Sequence, residues 1–264
     1  MDNFTSDRLP DSYAICLLGH GSRDPEGIEE FLILWKKLRG RKFCRITECG
    51  FLEFAKPDIS EALSACRQDG IQNIIIVPGI LLPGEHTHRD IPEAIRKASR
   101  NHPEINIFYA EPLGTKDEVM QVCRDRIEEA GKSSPKSIPR PETLLMIVAH
   151  GSHDTNSNFQ AEKNLLLLGQ KSGFCKTVTH FAGTSQYSPE DTLEKLLPQE
   201  FHRVILLPYF LFTGVWVKRV NALADTFQKK YLNIEFLKAP CLSHHDLIVD
   251  ALIQRVRESI YKEE

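Results

Sequence analysis

The sequence has no CxxC pair, no strongly basic stretch and no apolar run near the 18 or so residues that a membrane span requires. Its seven cysteines (Cys16, Cys44, Cys49, Cys66, Cys123, Cys175 and Cys241) are odd in number and scattered. That argues against a disulfide framework, a structural zinc site or an iron–sulfur cluster, and for reduced, buried thiols. A formal charge of −3 over 264 residues leaves no broad basic face, so nucleic acid is not an expected partner. The opening MDNFTSDRLPDSY is polar and has no apolar centre of the signal-peptide kind. The expected location is cytoplasmic, with no membrane partner.

What is present is an ordinary globular composition, 41% apolar and 26% charged, on a chain long enough for two domains with separate cores. Apolar runs alternate with helical periodicity. Strands are expected over 13–18, 43–51, 71–77 and 105–110. Helices are expected from Asp24 and Pro25 (with Ile28, Phe31, Leu32, Trp35 and Leu38 on one face), over 58–69, 92–100 and 116–130, the last closed by Gly131. Such alternation calls for a parallel sheet with helices on both faces. Residues 132–142, KSSPKSIPRPE, lack periodicity and read as a linker.

The second half then repeats the first. GHGSRDPEG after 14–18 matches HGSHDTNSN after 144–149, placing His20 and His150 130 positions apart. PGILLPGEHTHR matches PYFLFTGVWVKR, with Gly84 and Gly214 again 130 apart, and Asp117 matches Asp246 at 129. Agreement of three registers defines an internal duplication. The expected fold is therefore α/β, two similar doubly wound parallel-sheet lobes with a cleft between them: a first lobe over 1–131 bearing a metal site, a linker over 132–142, and a second lobe over 143–264 with a degenerate site.

Polar chemistry concentrates where apolar strands open into loops, the usual location of sites in parallel sheets. His20 follows the first strand, Glu53 stands in FLEFAKP after the second, and His86 stands in LPGEHTHRDIP after the third, at equal intervals of 33. Two imidazoles and a carboxylate from separate loops suit a divalent first-row metal held with positions left open, so that it can be handed on. In register, His20 corresponds to His150, His86 to Trp216 and, aligning Pro57 with Pro189, Glu53 to Ser185. Only the first half holds the full set. His88 is an alternative ligand or a turn residue, and Ser22 and Ser152 have no recognisable relay that would make either a nucleophile.

HGSRDPEG, FLEFAKP, PGILLPGEHTHRDIP and PYFLFTGVWVKR together resemble the class II chelatases, specifically the sirohydrochlorin cobaltochelatase and ferrochelatase family in its long, internally duplicated form. The resemblance spans about residues 12–255. It implies ATP-independent insertion of Co²⁺, or next Fe²⁺, into sirohydrochlorin in cobalamin or siroheme biosynthesis. It further implies His20 and His86 as metal ligands, Glu53 as their catalytic assistant, and no cofactor beyond the substrate metal. A histidine-rich stretch and a C-terminal cysteine motif of some long members are lacking, so metal storage is not implied. The substrate is a polyanion, for which Arg23, Arg89, Lys218 and Arg219 are the candidate cations and Trp216 the candidate flat contact, with Tyr209 and Phe212 as further apolar wall. The expected assembly is a monomer. Two other readings are a non-catalytic tetrapyrrole or metal carrier and a histidine phosphotransfer enzyme, which would want an Arg where Gly19 stands.

Overall fold

In a computed structural model, the described residues are 8–68, 70–84, 86–100, 103–152, 154–197 and 201–261; the side chains of residues 86, 98, 99 and 261 lie outside that description. The chain start read above as polar falls largely outside it, as does His153 of the second HGS loop. Strands β1 (Tyr13–Gly19), β2 (Ile46–Phe51), β3 (Asn73–Pro78) and β4 (Asn106–Tyr109) form one parallel sheet in the order β2-β1-β3-β4. Strands β5 (Thr143–His150), β6 (Lys176–Ala182), β7 (Arg203–Tyr209) and β8 (Glu235–Lys238) form a second, in the order β6-β5-β7-β8. Helices α1 (Pro25–Gly40), α2 (Ile59–Cys66), α3 (Ile91–Ser99) and α4 (Asp117–Lys132) alternate with the first four strands, and α5 (Thr155–Lys171), α6 (Pro189–Leu196), α7 (Val215–Lys230) and α8 (Asp246–Tyr261) with the last four.

The duplication is written into the strand registers. Gly19 pairs with Phe51 as Ala149 pairs with Phe181, and Leu18 pairs with Pro78 as Val148 pairs with Pro208, both at the 130-residue spacing. Asn73 pairs with Asn106 as Arg203 pairs with Glu235, where the spacing slips to 129. The registers correct one correspondence. Carried past Phe51 and Phe181, the spacing sets Glu53 against Gly183 and not Ser185, because the loop before Pro189 has gained two residues.

Local chemistry explains the element boundaries. Asp24 caps α1 and Pro25 occupies its first position, where a missing N–H costs nothing. Asp58 and Glu61 form a reciprocal capping box on α2. Gly131 does not close α4; it lies inside the helix, which runs to Lys132 and ends on Ser133. On β1, Ala14, Cys16 and Leu18 face a core completed by Ile59, Ala62 and Leu63 of α2 and Ile91 and Ile95 of α3. Ile15 and Leu17, pointing the other way, are equally buried. A sheet covered on both faces needs such continuous apolar strands.

One pairing departs from the simple two-lobe division. The last helix of each repeat packs chiefly on the other repeat's sheet: α4 packs on β7 and β8, and α8 on β3, β4 and α1. The compact units are accordingly Met1–Gly114 with His244–Glu264, and Thr115–Ser243, where the sequence placed its boundaries at 131 and 143. In the first unit, Lys37 of α1 and Arg41, which caps it, pair with Asp246 and Asp250 of α8. In the second, Arg140 and Arg203 hold the segment after α4, Arg203 donating to Ser134 Oγ, Lys136 O, Ile138 O and Glu235.

Candidate metal-handling site

His20 lies one residue beyond β1, the strand between β2 and β3, so loops from both neighbours open beside it. The β1–β2 ladder continues past the strand ends. Leu52 N donates to Gly19 O and Glu53 N to His20 O, each at 2.9 Å. Gly21 makes this closeness feasible. Its φ is +92°, and a Cβ there would stand 1.7 Å from Glu53 O. The acidic loop is pinched off behind Glu53, since Phe51 N donates to Pro57 O and Phe51 bridges to Asp58. Glu53 itself is exposed and His20 half-buried. His20 Nδ1 lies 3.3 Å from Gly21 O, and a carbonyl can only accept. That contact selects the tautomer with Nδ1–H, in which Nε2 is the acceptor nitrogen of the ring.

On the other side of β1, Gly79 N donates to Leu18 O, and the loop after β3 runs to a π-helical turn, His86–Asp90, that leads into α3. His86 opens this turn, while its side chain lies outside the described residues. Thr87, which the sequence reading passed over, is buried and anchors the turn. Its hydroxyl accepts from Gly84 N at 2.7 Å and donates to Gly84 O at 2.8 Å. His88 and Arg89 are exposed, and Arg89 pairs with Asp90 at 3.0 Å. Among the described residues no group of three or more His, Cys, Asp and Glu is assembled for a metal ion. His20 and Glu53 are joined; the expected third member is the one whose side chain is not described.

The buried thiols of β1, β2 and α2 are poor ligand candidates. Cys16, Cys49 and Cys66 are buried, and burial pushes Cys49 up to about 12, with nearby Glu48 adding to it. The Cys66 thiol is raised further by its hydrogen bond with Cys16 and by burial. A thiol kept protonated is a poor metal ligand, which leaves imidazole and carboxylate chemistry.

The corresponding end of the second unit keeps the loop without the acid. His150 ends β5, exposed, with Nδ1 2.9 Å from Gly151 O. A Cβ on Gly151 would stand 2.0 Å from Thr184 Oγ1, a close approach to a side chain where Gly21 meets backbone. Trp216 meets the His150 ring edge-on at 6.3 Å, and Arg219 lies over Trp216 at 4.8 Å. Lys218 and Arg219 are both exposed on α7. Tyr209 corrects an expectation: it is 2% exposed, with its hydroxyl held well above the usual range by burial, so it is core and not exposed wall. The serines are explained as well. Ser22 Oγ accepts from Asp24 N, and Ser152 Oγ from Asp154 N, each setting the aspartate that caps the next helix.

These features define a duplicated parallel α/β protein in which one copy couples a histidine and a carboxylate at its strand C-terminal ends. The CbiX family model matches residues 14–130 and again 144–259, and the chain belongs to that family. A sirohydrochlorin cobaltochelatase of Priestia megaterium is 30% identical over 247 residues, 94% of this chain and 80% of the relative. A sirohydrochlorin ferrochelatase of the same organism is 26% identical over 92% of this chain and 89% of its own length. The structure of SirB from Bacillus subtilis with Fe3+ superposes with a TM-score of 0.82 at 23% identity, covering 96% of this chain and 97% of that one.

Proposed function

We propose that this chain is an ATP-independent chelatase that inserts a divalent metal, Co²⁺ first and Fe²⁺ next, into sirohydrochlorin, and that it works as a soluble monomer in the cytoplasm. The observation carrying the proposal is the pairing of the His20 and Glu53 loops by backbone bonds at the C-terminal ends of β1 and β2, with His86 opening the turn on the other side of β1. The relatives' names agree with it over most of the chain.

Insertion requires that the metal shed water and that two pyrrole N–H protons leave. His20 and His86 bind the metal through imidazole nitrogen, and exposed Glu53 takes one pyrrole proton while the other passes to water, or it completes the coordination and both pass to water. Arg23 and Arg89, from the loops that carry His20 and His86, meet carboxylates of the substrate. No resident cofactor is needed, because the metal is itself a substrate. The test is steady-state absorbance of sirohydrochlorin with purified protein and each metal in turn. Multiple turnovers per chain are expected; stoichiometric binding without turnover would make the protein a carrier.

A further inference from the structure

Phe54, between Glu53 and Ala55 in the acidic loop, was not among the residues the sequence singled out. It is 53% exposed and sits at φ +63°, a left-handed conformation that costs a side chain such as phenylalanine stability. Neither burial nor backbone preference accounts for an aromatic there. Its surroundings do. The Arg23 guanidinium lies over its ring at 4.9 Å from the centroid, and the His20 ring stands 6.2 Å from it, tilted by 34°. Arg23 comes from the loop that carries His20, and Phe54 directly follows Glu53. One exposed ring therefore links both halves of the candidate site.

We propose that Phe54 is a positioning residue: its ring fixes Arg23 beside His20, so that a substrate carboxylate paired with Arg23 brings the tetrapyrrole to the metal-binding histidine. This deepens the chelatase reading and rests on it. A guanidinium on an aromatic face keeps its in-plane N–H donors free for a carboxylate while its own plane is held. The left-handed backbone at Phe54 is the device that turns the ring outward to do this, since Ala55 N donates back to Glu53 O and closes the turn beneath it.

The experiment compares Phe54→Gly, Phe54→Trp, Arg23→Gln and the Phe54→Gly/Arg23→Gln pair in the full chain. It reads the affinity for metal-free sirohydrochlorin by absorbance titration, KM and kcat for Co²⁺ insertion, and melting temperature. Phe54→Gly is expected to melt no lower than the unmodified chain, because glycine accepts the positive φ, yet to bind sirohydrochlorin about 2- to 5-fold more weakly, the scale of an exposed cation–π contact. The loss should fall on KM more than on kcat, be restored by Phe54→Trp, and be absent when Arg23 is already Gln. Unchanged affinity in Phe54→Gly, or a loss that simply adds to that of Arg23→Gln, overturns the proposal while leaving the chelatase reading standing. If the unmodified chain neither binds nor metallates sirohydrochlorin, that reading falls and this one with it.

Discussion

At the scale of single residues, the two halves separate scaffold from chemistry. Gly21 and Gly151, Ser22 and Ser152, and Asp24 and Asp154 do the same work in both units, bringing one loop against its neighbour and capping the next helix. Glu53 and His86 have no repeat. His20→Ala and His86→Ala are therefore each expected to lower insertion by more than the roughly 10- to 100-fold typical of losing an outer-shell partner, with His150→Ala mild. Equal damage from His150→Ala and His86→Ala in the same steady-state assay would move the site away from the first unit. Gly21→Ala tests the junction. It combines a strained φ with a collision against Glu53 O, so a loss of stability of about 1–3 kcal/mol, read by denaturant unfolding, should accompany the loss of activity.

Elements carry their own predictions. Arg203 starts β7 directly opposite Glu235 of β8, their ion pair of 2.6 Å having side chains only 6% and 11% exposed. Arg203 also ties down the segment between α4 and β5. Arg203→Ala strands a buried carboxylate and should cost about 3–5 kcal/mol in denaturant unfolding. On β6, burial lowers the pKa of His180, with Glu190 opposing. The unfolded chain then takes up a proton before the folded one does, so stability falls as pH drops below about 6.5 and levels off once the folded imidazole is protonated too. His180→Gln should flatten that part of a plot of melting temperature against pH; an unchanged slope would assign the acid sensitivity elsewhere.

For the whole molecule, the exchanged helices matter most. The first repeat, residues 1–131, carries α4, which packs on β7 and β8, and lacks α8, which covers β3 and β4. Expressed alone, it presents an apolar sheet face and an apolar helix without their partners, two surfaces that a second copy could cover. Self-association by size-exclusion chromatography, without insertion activity, is the expected result. A stable, active monomer of that length would mean that α4 can fold back on its own sheet.

The repeat, the alternation of strands and helices, and the placing of histidine and acid after consecutive strands were all legible in the chain. Period, capping residues and strand-end position are local and survive without a partner. Element ends drifted by a few residues, and Gly131 misled because a helix supported by tertiary packing runs through a glycine that propensity alone would stop at. Three things needed the folded molecule. That Glu53 corresponds to Gly183 in the repeat is set by strand register, since the loop that follows has an insertion. The exchange of α4 and α8 is decided by which sheet face each helix covers, since an apolar stripe specifies burial without naming its partner. Phe54 acquires a role only once Arg23 and His20, 30 or more positions earlier in the chain, stand around its ring.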